Sequence, residues 1–304
     1  MRSFIDQHRE RFGVEPICKL LRVAPSAYWR YAARQRNPSL HSARARRDEF
    51  LIPHIQRVWL AHFQVYGADK VWRQWQREGV EVARCTVERL MRRRLGLHGV
   101  MRGKVVRTTF GDTNAPRPLD RVNRQFKADR PHPLWVSDFT DVSTGQGFVY
   151  VAFVIDVFAR HIVGWRVRRS MRTDFVLDAL EQALYARQPE RDASLIHPSD
   201  RGSQSVSIRY TECLTEAGIE PSVGSKGDSY DNALAETING LYKAELIHRQ
   251  GPWKTVESLE LATLEGVTGF NPHRLLEPIG YMPPAEAEQR YYLQLAQQAE
   301  HVCT

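Results

Sequence analysis

The sequence predicts an α/β protein, a mixed sheet flanked by helices and preceded by a mostly helical helix-turn-helix region. Three observations predict it. Apolar residues recur at helical spacing ahead of Gly111, a polar stretch with four prolines runs from about Gly111 to Pro133, and beyond it β-rich apolar runs alternate with helical ones. The charge divides at the same place: residues 1–130 carry 28 Lys and Arg against 12 Asp and Glu, and residues 131–304 carry 15 against 23.

That division separates two electrostatic tasks. The basic segment suits a polyanion, nucleic acid ahead of an anionic membrane surface, because no amphipathic anchor accompanies it. The acidic segment suits a site for divalent cations. A chain of 304 residues has room for a core of roughly 150 residues and one or two smaller modules. No run approaches 18 apolar residues, and the opening MRSFIDQHRERFG lacks an apolar stretch, so neither a membrane span nor a secretory signal is expected and the protein is expected in the cytoplasm, associated with the nucleoid. Cys18, Cys85, Cys213 and Cys303 form no CxxC or Cys/His cluster, which suggests neither a zinc site nor a disulfide framework.

The helical region comes first. GVEPICKLLRVAPSAYWRY has apolar Ile17, Leu20, Leu21 and Val23, then Pro25-Ser26 as a helix start, and resembles two short helices joined by a tight turn. YGADKVWRQWQREGVEVARCTVERLMRRRLG repeats the arrangement: a helix from about Ala68 to Glu78, a break at Gly79, and a second helix from about Arg84 to Arg94 with Val87, Leu90 and Met91 inward. Such pairs can present a basic helix to the major groove, or can be packed helices with a solvated arginine face. The run Arg92-Arg93-Arg94, followed by Arg102, Lys104 and Arg107, favours DNA.

After the linker, LWVSDFTDV, FVYVAFVID and HIVGWRV predict an antiparallel meander. DFVLDALEQALYARQ reads as a helix, SLIH as a short strand ending near Asp200, IRYTECLTEAGI as a helix, EPSVG as a strand, and YDNALAETINGLYKAELI as a long helix with Asp231-Asn232 as its cap. The order β β β α β α β α matches a ribonuclease-H-like core. The predicted organisation is therefore a helical segment over 1–45, a helix-turn-helix-like DNA-binding domain over 46–110, a linker over 111–130, a catalytic domain over 131–290 and a C-terminal tail over 291–304.

Three acids stand out within that order. Asp138 lies in the first strand, whose central place in such a core brings it beside the strand leading to Asp200, and Glu236 lies one turn into the last long helix, on the face it shares with Asn232. Between Asp200 and Glu236 lie 35 residues. A single aspartate at a strand end is an ordinary turn residue. Three apposed carboxylates repel one another unless a cation sits among them, and phosphodiester chemistry uses such oxygen ligands to hold two Mg²⁺ or Mn²⁺ ions. Asp141, at an odd offset from Asp138, and Asp156, Asp228 and Asp231, at strand-end, loop and cap positions, rank below these three.

WVSDFTDV, GFVYVAFVIDVFARHIVGWRV, HPSDRGSQ, GIEPSVGSKGDSYDNALAETINGLYKAELI and FNPHRLLEPIGYMPPAEAE together resemble the integrase-type catalytic domain of bacterial insertion-sequence transposases, in the group typified by insertion sequence three. The basic region is similar to the helix-turn-helix part of the second reading-frame (OrfB) product of those elements. The resemblance implies that Asp138, Asp200 and Glu236 are the DDE metal ligands and that Lys243, two turns beyond Glu236, contacts DNA near the scissile phosphate. Asn232, Arg92, Arg93, Arg94, Arg102 and Lys104 join Lys243 as expected DNA contacts. It further implies Mg²⁺-dependent nicking and joining of DNA strands, an oligomer on DNA, and fusion to or association with an upstream OrfA product. Where relatives usually carry aromatics this chain has Gly145, Gly266, Gly269 and, after RGSQ, Ser205, and Pro198 replaces a usual His. Each lost aromatic costs about 3–5 kcal/mol if its position is buried. The alternative expectation is therefore a catalytically silent DNA-binding regulator or a decaying element copy.

Overall fold

The structure is a computed structural model, and it describes residues 1–101, 128–170, 173–187, 196–199, 220–223 and 233–302. Residues 111–127 of the linker predicted over 111–130, the predicted helix over 208–219, and Asp200, Ser205, Asn232, Arg102, Lys104, Arg107, Asp228 and Asp231 lie outside the described residues.

The chain opens with α1 (Arg2–Phe12), α2 (Val14–Leu20) and α3 (Pro25–Arg36). Gly13, at φ 75°, turns α1 into α2 in a conformation that favours glycine, and Pro25 starts α3 where its missing N–H is harmless. Ile5, Val14, Ile17, Cys18, Tyr28 and Ala32 close a small core, and the Tyr28 hydroxyl donates to Asp6 at 2.7 Å.

A second helical module follows: α4 (Ala43–Ala61), α5 (Ala68–Arg77) and α6 (Arg84–Leu90), the last continued by a wide turn over Met91–Leu95 and stopped by Gly96 in the left-handed region. Ser42 caps α4 by accepting the Ala45 N–H. Leu51, Ile55, Val58, Val71, Trp75, Val87, Leu90 and Met91 share the core. Asp48 on α4 takes two hydrogen bonds from Arg89 on α6, at 2.7 and 2.9 Å, and this guanidinium holds the Asp48 carboxyl below the usual carboxylate range.

The sheet begins after the basic region. β1 (Trp135–Thr144), β2 (Gly147–Asp156) and β3 (Ile162–Arg168) form the antiparallel meander, with Asp138 opposite Phe153. β4 (Ile196–Ser199) lies against β1 and pairs in parallel with β5 (Glu220–Val223). One face is covered by α7 (Thr173–Arg187), through Phe175, Leu177, Leu180 and Ala183 on Trp135, Ala152, Val154 and Val163. The approach is close: a Cβ at Gly164 would lie 2.2 Å from the Ala179 carbonyl oxygen, so only glycine serves there.

The opposite face is covered by α8 (Ala233–Tyr242), continued by a wide turn over Lys243–Ile247, and by α9 (Val256–His273). Asn271 of α9 both donates to and accepts from the Ile162 backbone at 3.0 Å, tying α9 to β3. The final helix, α10 (Pro284–Val302), runs through most of the stretch expected to be a tail: residues 291–302 continue the helix. Nothing in the polar run QLAQQAE breaks a helix already started.

The helical module and the sheet domain are joined by side chains distant in sequence. Leu275, just past α9, is fully buried within the core of α4, α5 and α6. The Tyr66 hydroxyl accepts the Leu275 N–H at 2.8 Å and donates to the His273 carbonyl at 2.9 Å. Arg249 donates to the Phe63 carbonyl and, at 3.0 Å, to Gln64 Oε1. Phe63 lies over Gly269, where an added Cβ would be 2.3 Å from its ring, so a side chain from another element occupies that position. Gly145 lies against backbone instead: its N–H donates to the Trp253 carbonyl at 2.8 Å.

Candidate active site

Asp138 sits in the middle of β1 on the strand face shared with Val136, Thr140 and Val142, all buried. Its half-buried carboxylate accepts hydrogen bonds from both sides. The Phe139 N–H donates to Oδ1 at 2.9 Å, and Asn239 Nδ2 donates to Oδ2 at 2.8 Å. The second bond lays α8 across β1.

What holds α8 there is mainly apolar. Ala235 and Ile238 are buried against the sheet, the Tyr242 ring meets Phe153 edge-on at 5.1 Å between centroids, and the Tyr242 hydroxyl bonds Thr263 of α9 at 2.8 Å. Burial raises the Tyr242 phenol well above its ordinary value, so it stays protonated.

Glu236 is exposed in the first turn of α8, three residues before Asn239, or about 4.5 Å along the axis. Lys243 follows Asn239 by four residues, and its Nζ is 3.5 Å from Asp141 Oδ1. Glu236, Asn239 and Lys243 thus stand at i, i+3 and i+7 on one helical stripe, and the latter two reach β1. The lysine that spacing alone would leave solvated has a partner on β1.

Asp200 follows Ser199, the last residue of β4. Among the described residues no three His, Cys, Asp or Glu side chains gather closely enough to hold a metal.

Asp156 is buried and structural: it accepts the N–H groups of His132 and Ala159 at 2.7 and 3.1 Å, and burial raises its carboxyl above the usual range. Beside it, Glu288 of α10 meets Arg187 at 2.7 Å and His161 at 2.9 Å, which fastens α10 to α7 and to the start of β3. Arg92, Arg93 and Arg94 are exposed on the wide turn after α6, with Arg92 Nη1 3.3 Å from Glu88 Oε1.

Sequence reasoning missed Asn239. The available signal was a polar residue on the apolar face of the last long helix, next to Ala235 and Ile238.

A helix-turn-helix module joined to a sheet that carries a central aspartate, flanked by an acid-bearing helix, defines a polynucleotidyl transferase of the integrase class. Residues 128–229 match the family described as integrase core domain, and residues 45–105 match the HTH-like domain. The chain is 58% identical to the transposase for insertion sequence element IS629 of Shigella sonnei, over 96% of this chain and 97% of that one. It is 54% identical to the putative transposase for IS986/IS6110 of Mycobacterium tuberculosis, over 90% and 97% of the two chains. It is 30% identical to the transposase InsF for IS3A of Escherichia coli, over 81% and 83%. The catalytic core domain of HTLV-2 integrase, solved with magnesium, is matched over 53% of this chain and 98% of that one, at 17% identity and a TM-score of 0.41. The chain belongs to the insertion-sequence transposases, in the group that includes the IS3 enzyme. It is accordingly a DNA-binding enzyme that cuts and joins strands.

Proposed function

We propose that Asp138, Asp200 and Glu236 are the carboxylates that hold divalent cations while this transposase cleaves element ends and joins them to other DNA. One observation carries the reading: the Asn239–Asp138 bond lays the helix bearing Glu236 across the strand bearing Asp138. The place of β4 beside β1, with Asp200 next in sequence, supports the third ligand.

The donor set fits a hard cation, since all three are carboxylates. Asn239 Oδ1, buried beside Asp138, has no hydrogen-bond partner among the described residues. We assign Mg²⁺, with Mn²⁺ as substitute, and two ions. When bound, such ions supply Lewis acidity at the phosphate and make the attacking oxygen a better nucleophile.

The reaction divides into two displacements. In the first, a water oxygen bonds to phosphorus, the bond from phosphorus to the 3′-oxygen breaks, and that oxygen leaves as a 3′-hydroxyl. In the second, the new hydroxyl loses its proton, its oxygen bonds to another phosphodiester, and a second 3′-oxygen departs. One bond forms for each that breaks. Lys243 and Asn232 serve as DNA contacts near the cut, while Arg92, Arg93, Arg94, Arg102 and Lys104 bind phosphates further away. The working complex contains more than one copy and the upstream OrfA product, fused or bound; the resemblance in motif supports this part.

The test is a strand-transfer assay with labelled element-end DNA and Mg²⁺, run with and without the upstream product fused. Joined product from wild type and none from folded, DNA-bound Glu236→Ala is the expected result. Equal product from both would remove Glu236 from the site.

A further inference from the structure

We infer that Asn239 is a positioning residue for strand cleavage: its side-chain amide fixes the orientation of the Asp138 carboxylate and the spacing of β1 from the helix that bears Glu236. This rests on the reading of Asp138 as a metal ligand.

The residue is conspicuous by where it sits. Asn239 is 7% exposed on the buried face of α8, among positions filled by Ala235 and Ile238. Its Nδ2 reaches Asp138 Oδ2 at 2.8 Å, but its Oδ1 is buried with no partner among the described residues. A buried polar atom left unpaired costs stability, so packing alone favours an apolar residue of similar volume here. The bond to Asp138 is what asparagine supplies and leucine does not.

The chemistry of the amide matters too. The Phe139 N–H on Oδ1 and the Asn239 amide on Oδ2 are both neutral donors to the Asp138 carboxylate. A lysine or arginine could also donate, but its charge would offset that of Asp138 and weaken attraction for a cation. A neutral donor orients the ligand and leaves its charge in place, as partners behind metal ligands commonly do. Because Glu236 is one turn away on the same helix, the same bond limits how far the two acids can part.

The test uses the full chain and Mn²⁺ alone, titrated by electron paramagnetic resonance, for wild type, Asn239→Leu, Asn239→Ala and Asp138→Ala, with thermal unfolding measured on each. Asn239→Leu is expected to unfold at the same or a higher temperature than wild type while binding Mn²⁺ about 10- to 100-fold more weakly. A residue that only fills space would not move those two quantities in that combination. Asn239→Ala is expected to show the same loss of Mn²⁺ affinity, and it decides the matter if the leucine variant does not fold. Mn²⁺ affinity within twofold of wild type in the folded variants overturns the inference. If Asp138→Ala loses Mn²⁺ while the Asn239 variants keep it, only the positioning role falls. If Asp138→Ala also binds normally, the carboxylate reading falls and this inference with it.

Discussion

Lys243 of α8 and Asp141 of β1 face each other with Nζ and Oδ1 3.5 Å apart, four residues beyond the bond that joins Asn239 to Asp138. A pair this open to solvent contributes little to stability, about 0–1 kcal/mol. Its value lies in aiming an ammonium along the acid-bearing strand. Lys243→Ala is therefore expected to leave thermal unfolding nearly unchanged, weaken strand transfer, and lower the slope of log affinity against log salt by about one unit. DNA titrations at several salt concentrations read that slope, and an unchanged one removes the phosphate contact.

Asp138 and Asp156 are both aspartates of the meander, and they predict opposite outcomes. Asp138→Ala is expected to abolish cleavage of a labelled element end while DNA affinity persists, and Asp200→Ala and Glu236→Ala should behave alike. Asp156→Ala leaves the half-buried His132 N–H and the buried Ala159 N–H without their acceptor and should cost about 2–4 kcal/mol of stability. Melting curves alongside single-turnover cleavage separate the two classes.

Acid should loosen the joint between the helical module and the sheet domain. His62 stacks on Tyr66 at 4.2 Å, and burial, helped by His273 and Arg274 nearby, lowers its pKa to about 4. A folded-state pKa below the unfolded value of about 6.5 means a contribution present above pH 6.5 and lost as pH falls towards 4. For a half-buried ring exposed to solvent screening, the loss is about 1–2 kcal/mol. Denaturant unfolding of wild type and His62→Phe across that window should show a pH dependence in the first that is reduced in the second.

Replacing Arg92, Arg93 and Arg94 together by alanine should weaken DNA binding and leave Mn²⁺ titration untouched. All three are exposed, and among the described residues only Arg92 has an ion-pair partner, Glu88 at 3.3 Å. Full DNA affinity in the triple variant would make the run an ordinary solvated face.

Much of this fold is legible in the residues themselves. The meander, α7 and α8 announce themselves by alternation or helical spacing, and α5 and α6 by the break at Gly79, whose φ is 75°. The helices α4 and α9 are harder to read because Pro53 lies inside one, and Gly266, Gly269 and Pro272 inside the other, and packing overrides those local penalties. The glycine at 269 reads as a lost aromatic, yet Phe63, more than two hundred residues earlier, fills the space. Asn239 escaped notice for the same reason: its partner is a hundred and one residues away, and no local pattern encodes that distance.

The burial of Leu275 within the core of α4, α5 and α6, fastened by the Tyr66 hydroxyl, has a consequence for the DNA. On the proposed reading, in which the helical module holds the element end and the three acids cut it, the chain is a gauge with one jaw on the recognised sequence and the other on the bond to be cut. Adding five base pairs between those points rotates the bond about half a helical turn, to the far side of the duplex, while adding ten restores its facing but not its reach. On that reading a leucine and a tyrosine that need touch no base set the length of the element's end.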